Sequence, residues 1–147
     1  MAASSSSAWM ETPDFLVICH ATRDLLPNGG WRLGGSVAFA ALTASRLGLR
    51  TAVVTSGPED VEASLRELLP ETAIHCVRSA DATVFENIYA AGRRRQYLRG
   101  RAAPLTLDAV PAPWRVAPLV LLAPLAGEVI STLWVQTPLP DHVDTIE

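Results

Sequence analysis

An aspartate and a pair of glycines carry the most chemistry in this sequence. Asp24 follows a short apolar run, and Leu33-Gly34-Gly35-Ser36 stands directly before a longer one. Two adjacent glycines let a ligand come close to the backbone, and a helix beginning at Ser36 would add unpaired N–H groups and a partial positive charge. Such a place can hold a hydroxyl or an anion, although adjacent glycines also serve simply as a turn. A carboxylate such as Asp24 accepts two hydrogen bonds from vicinal hydroxyls, which is a natural grip on a sugar or nucleoside. Its plainer reading is the first residue of a turn.

Two further groups could act on phosphate. The basic run Arg93, Arg94, Arg95, Arg99 and Arg101 could form a clamp. Only one aromatic, Tyr97, interrupts it, and the chain as a whole is acidic, so a nucleic-acid partner is not expected. On an exposed hairpin such charges discourage sheet-to-sheet aggregation. Glu128, after Pro124-Leu125-Ala126-Gly127, is either a reach toward a metal-bound phosphate or a solvated loop carboxylate. No nucleophile with a base, no G-x-G-x-x-G and no paired catalytic carboxylates are present.

The whole chain limits these options. It has 147 residues, a net charge of -3 and a hydrophobic content of 49%. One domain burying about 70% of its unfolded surface is expected. Every basic side chain apart from histidine is arginine, which excludes a P-loop lysine, a Schiff base and any lysine contact to phosphate. Cys19 and Cys76 lie in apolar, strand-like runs that suit small buried groups in a reduced, cytoplasmic setting. His20, His75 and His142 have no ligand spacing, so no protein-built metal site is expected. The apolar runs are too short to cross a bilayer, so no membrane partner is expected. Residues 1–13 read as a disordered start without the basic and apolar regions of a signal peptide, and Met10 offers an alternative first residue.

The elements that must position Asp24 and the glycines follow in order. Phe15 to Cys19 is a strand buried on both faces. Asp24 to Leu26 and Trp31 to Leu33, separated by Pro27-Asn28-Gly29-Gly30, form a small hairpin standing off the main sheet. The run from Ser36 reads as a mostly buried helix ending at Gly48. Arg50 to Thr55 is a second core strand parallel to the first. Ser56-Gly57-Pro58-Glu59-Asp60 predicts an amphipathic helix, with Ser56 as its cap and Pro58 in its first turn. Ala73 to Val77 is a third strand. Between Thr83 and Leu98 the period becomes two, with Val84, Glu86, Ile88 and Ala90 on one side and Phe85, Asn87 and Tyr89 on the other, which predicts an antiparallel hairpin outside the main sheet. Thr106 to Asp108 looks like a helix start broken by Pro111 and Pro113. Leu119 to Leu122 is a fourth buried strand. Residues 130–147 have no helical period to cover it, so the α/β pattern stops midway.

Phe15 to His20, Asp24, Leu33-Gly34-Gly35-Ser36, Ala40-Ala41 through Arg46-Leu47-Gly48-Leu49, Val53 to Gly57 and Gly92-Arg93-Arg94 together resemble the N-terminal part of the ribokinase-like (PfkB) carbohydrate kinase family. The resemblance covers about residues 14–129. It implies a truncated three-layer α/β sheet with a small β lid made of the hairpins. It also implies transfer of the ATP γ-phosphoryl group, with Mg2+, to a hydroxymethyl oxygen of a sugar or nucleoside. Asp24, Gly34, Gly35 and Ser36 match the substrate-binding positions, Asn87 and Arg94 are lid or phosphate contacts, and the lid strands offer a route to a dimer. Phe39 stands where the family often has an asparagine.

The family's C-terminal signature, a glycine-rich anion hole ending in the aspartate base, is not among these residues, nor is its Asn-x-x-Glu motif. The resemblance therefore implies a chain that holds the substrate side and is inactive alone as a kinase, its tail at 130–147 fitting a frameshift, a premature stop or an alternative product. A non-catalytic module that binds or senses a small polyol, or pairs with another chain, is the alternative. A dinucleotide-binding half-domain is disfavoured because its phosphate fingerprint is absent.

Overall fold

The computed structural model describes residues 11–127, so Glu128 and the segment 130–147 lie outside the described residues. Two four-stranded sheets are present, and their pairing decides where the candidate residues stand. The first contains β1 (Phe15–Ile18), β4 (Thr51–Gly57), β5 (Ala73–Arg78) and β8 (Leu119–Leu122), in the order β5-β4-β1-β8. All its pairs are parallel, so every carboxyl end opens on the same edge. The apolar runs that predicted β1 and β4 are continuous rather than alternating because both faces are covered. The fourth strand, expected to be buried, is instead a sheet edge, with Leu119 47% exposed and Val120, Leu121 and Leu122 half-buried, because it has a pairing partner on one side only.

One face packs on α1 (Ser36–Arg46) and α2 (Glu59–Leu68), where Val17 and Val53 meet Val37, Ala41, Val61 and Leu65. The other face carries Leu16, Ile18, Ala52 and Val54 against Leu105, Val110, Trp114 and Ala117. That cover is a segment with two short 3-10 turns, Leu107–Ala109 and Ala112–Trp114, in place of the helix start expected at Thr106. Pro111 and Pro113 keep it from becoming a helix.

Two expectations are corrected. Ser56 does not cap α2. It belongs to β4, which pairs with β5 through Ser56↔Val77 and Gly57↔Arg78, and its hydroxyl donates to the Val77 carbonyl at 3.0 Å. Pro58 occupies the cap position instead, with extended backbone. Nor is α1 mostly buried. Val37, Ala38, Ala41 and Ala44 face the core, while Phe39 and Leu47 are 69% and 76% exposed. The helix does end as Gly48 suggests: its φ is +84°, Leu49 N–H bonds the Ala44 carbonyl and Gly48 N–H bonds that of Ser45, a Schellman closure.

The second sheet contains β3 (Trp31–Gly34), β2 (Thr22–Leu25), β6 (Thr83–Ala90) and β7 (Arg93–Gly100), in that order. Both expected hairpins are there, β2–β3 and β6–β7, each antiparallel. They are joined edge to edge by a parallel β2–β6 ladder, from Thr22↔Thr83 to Leu25↔Glu86. Local alternation shows each hairpin but not this long-range partnership. The result is a single small sheet rising from the carboxyl edge of the larger one.

Candidate functional site

Successive side chains on a strand point to opposite faces. In β2, Thr22 and Asp24 therefore share one face, and Arg23 and Leu25 the other. The registers carry this parity across the sheet. Thr22 stands beside Gly34 and Thr83, and Asp24 beside Arg32 and Phe85. Farther out, Asn87 stands beside Gln96 and Tyr89 beside Arg94. One face of the small sheet thus collects Asp24, Gly34, Asn87 and Arg94, residues spread over some half of the sequence. The opposite face carries Trp31, Leu33 and Val84, which pack on the core of the α1 and α2 layer.

The first face looks toward the end of β1, and a buried network sets that relation. His20, fully buried just past β1, has Nε2 at 2.8 Å from the Ala103 carbonyl and Nδ1 at 2.7 Å from Thr83 Oγ1. A carbonyl only accepts, so Nε2 carries a proton. Thr83 Oγ1 accepts the Ala102 N–H at 3.1 Å, which in the neutral imidazole leaves the Thr83 hydroxyl proton for Nδ1. Ala21 N–H donates to Thr55 Oγ1 at 2.8 Å, tying the same turn to β4. His20, which has no ligand spacing in the sequence and no role expected from it, holds the root of the small sheet to the large one. Its signal was position, a lone polar side chain directly after a strand buried on both faces.

The two glycines do different things. A Cβ on Gly34 would lie 2.4 to 2.7 Å from the Asp24 carboxylate, so the carboxylate occupies the space that a side chain would fill. There Asp24 Oδ1 accepts the Thr22 hydroxyl at 2.9 Å. Gly35 caps α1 with φ +93° and ψ 149°, and a Cβ there would lie 2.6 Å from the His20 carbonyl oxygen. That backbone region is essentially closed to other residues. Ser36 then opens α1, whose first amide groups point back toward this corner. Asp24, Gly34, Gly35 and Ser36 therefore meet where the small sheet leaves the carboxyl edge, which is where open α/β sheets bind ligands.

Asn87 and Arg94 stand farther along the same face. Asn87 Oδ1 is buried and has no hydrogen-bond partner among the described residues. A groove of about 500 Å³ runs between the Leu26–Gly30 turn and the part of β6 that outruns β2, with Asn87 and Tyr89 in its lining. Arg94 is exposed at the outer end. Of the basic run, Arg99 is held by Glu86 at 2.7 Å, as an edge charge would be. Among the described residues no three His, Cys, Asp or Glu side chains come together as metal ligands.

No protein-family model matches the chain, and neither does any curated protein. Solved structures do. A pyrophosphate-dependent kinase in the ribokinase family, complexed with a pyrophosphate analog and myo-inositol, is 25% identical with a TM-score of 0.67, over 81% of this chain and 43% of that one. The fold is ribokinase-like. A sulfate complex of a pyrophosphate-dependent kinase in the ribokinase family gives 25% identity and a TM-score of 0.65, over 81% and 44% of the two chains. A pyrophosphate-dependent myo-inositol-1 kinase converted into a myo-inositol-3 kinase by two substitutions is similar in fold, at 22% identity and a TM-score of 0.64, over 81% and 42%. The chain spans less than half the length of these ribokinase-like kinases.

Proposed function

We propose that this chain binds the acceptor of a ribokinase-like phosphoryl transfer, a small polyol or sugar, and that Asp24 with Gly34 and Gly35 is the grip. The observation that carries the reading is the Asp24 carboxylate seated over Gly34 at the carboxyl edge. One lone pair is used by Thr22, and the remaining acceptor capacity suits a pair of neighbouring hydroxyls. The missing side chain at Gly34 lets the carboxylate lie low against the strand. The α1 N-terminus beside it offers N–H donors to a hydroxyl oxygen. Likeness to a kinase whose structure holds myo-inositol favours a cyclic polyol among the candidates.

Transfer itself needs placed phosphates and a base. The described residues bring neither a metal-ligating cluster nor an aspartate on a glycine-rich anion hole, so the chain contributes acceptor binding and the purified chain alone transfers no phosphate. The neighbours named pyrophosphate-dependent make pyrophosphate a donor to be tried beside ATP.

The test is calorimetric titration of the chain with myo-inositol, repeated on Asp24→Ala with its melting curve. Losing hydrogen bonds to a charged acceptor should weaken binding by at least about tenfold. Equal affinity in Asp24→Ala, with the fold intact, refutes the assignment. Phosphorylation of inositol by the purified chain, with either donor, refutes the division of labour.

A further inference from the structure

Arg23 stands next to the carboxylate of the grip in sequence and on the other face of the same strand. There its guanidinium pairs with Asp60 in the first turn of α2 and lies 5.2 Å from the centre of the Trp31 ring. Asp60 is itself oriented, since its Oδ1 accepts the Val61 N–H at 2.9 Å. The pair thus joins the small sheet, through β2, to a helix of the main body, and the stacked Trp31 extends the contact to β3. Another of its donors, Arg23 Nε, is buried without a hydrogen-bond partner among the described residues. A side chain that leaves one buried donor unmet is held where it is by its other contacts.

We propose that Arg23 and Asp60 are a positioning pair: by clamping the back of the β2–β3 hairpin to α2, they hold the strand that presents Asp24 at a fixed height above the carboxyl edge. The hairpin's front attachment, the close pass of Gly35 over His20, lies at its root. The Arg23–Asp60 contact is the ion pair among the described residues that bridges the small sheet and the body. Without it the hairpin can lean while both sheets stay folded. The consequence for ligand affinity rests on the polyol reading above, but the clamp does not.

Amide hydrogen exchange on the whole chain separates the two. In Arg23→Gln and in Asp60→Asn, exchange at Arg23–Leu25 and Trp31–Leu33 should rise by about three- to tenfold, the range of a half-exposed ion pair with a cation–π contact. The amides of β1 and β4 should not change. The double variant should exchange no faster than the faster single, because both singles break the same link, and Arg23→Lys should recover part of the protection. In the unmodified chain high salt should move the same amides toward the variants, while the double variant stays insensitive. Unchanged β2–β3 exchange in both singles, additive effects in the double, or a rise shared equally by β1 and β4 would each overturn the clamp. If the clamp behaves as expected and the chain binds myo-inositol, the singles should weaken that binding while moving melting little. If the clamp behaves as expected and no binding of inositol occurs, the polyol reading fails and the clamp stands.

Discussion

Gly34 and Gly35 are adjacent, yet alanine should do different things at the two positions. At Gly35 the backbone conformation costs a non-glycine residue about 1–3 kcal/mol. The added Cβ would also meet the His20 carbonyl at 2.6 Å, and this neighbour is backbone, held by its own chain and unable to swing away. Together these give about 3 kcal/mol or more, which for a domain of this size lowers the melting temperature by about 6–12 °C. At Gly34 the obstacle is the end of a side chain. The Asp24 carboxylate can rotate off, losing the Thr22 hydroxyl bond, for about 1 kcal/mol and about 2–4 °C. Melting followed by circular dichroism, paired with inositol titration, distinguishes the two. Gly35→Ala should melt far below the unmodified chain. Gly34→Ala should melt only slightly below it yet lose binding, because its Asp24 carboxylate has been pushed out of place. A Gly35→Ala chain melting within a degree or two of its parent would refute the backbone argument, and a Gly34→Ala chain binding inositol normally would refute the seat proposed for Asp24.

Thr83→Val removes the oxygen shared by His20 and Ala102 and should cost about 2–3 kcal/mol, read by urea unfolding, whereas the same change at exposed Thr43 should cost little. The hydrogen bond from Arg23 holds the Asp60 carboxyl below its usual range, so its contribution is present above about pH 4 and is lost as pH falls through the depressed value. The stability gap between the unmodified chain and Asp60→Asn, measured across an acid titration, should close on the acid side. Burial pushes the Cys76 thiol up to about 11, so at mildly alkaline pH an aromatic disulfide reagent should label it far more slowly in the native chain than in urea.

Much of the larger sheet was legible because strands buried on both faces leave unbroken apolar runs, as at Phe15–Ile18; the equally apolar run Leu119–Leu122 turned out to be a half-covered edge strand. Ser56 shows where local reading fails. Ser-Gly-Pro-Glu-Asp has every mark of a helix start, but the pairing partner that draws Ser56 and Gly57 into β4 lies some twenty residues away and leaves no local trace. Phe39 and Leu47 misled in the other direction, because an apolar residue on a helix does not say whether anything covers it. At the site, the residue types of Asp24 and the glycines were informative, and so was the alternation that puts Asn87 on the side of Phe85. The seat of the carboxylate in the gap at Gly34 was not, since it depends on the diagonal relation of two strands. The parallel β2–β6 ladder, which brings Asp24 and Asn87 to one face, was invisible for the same reason.

β2 is only four residues long and works on both sides, with acid in front and base behind. A deletion or insertion of one residue in the turn at Cys19–Ala21 would exchange these duties, turning a cation toward the ligand and a carboxylate toward Asp60. Variation in that turn is therefore quantised: homologous chains with this use of β2 should differ there by none or by two residues, and a library built on this scaffold should be cut the same way.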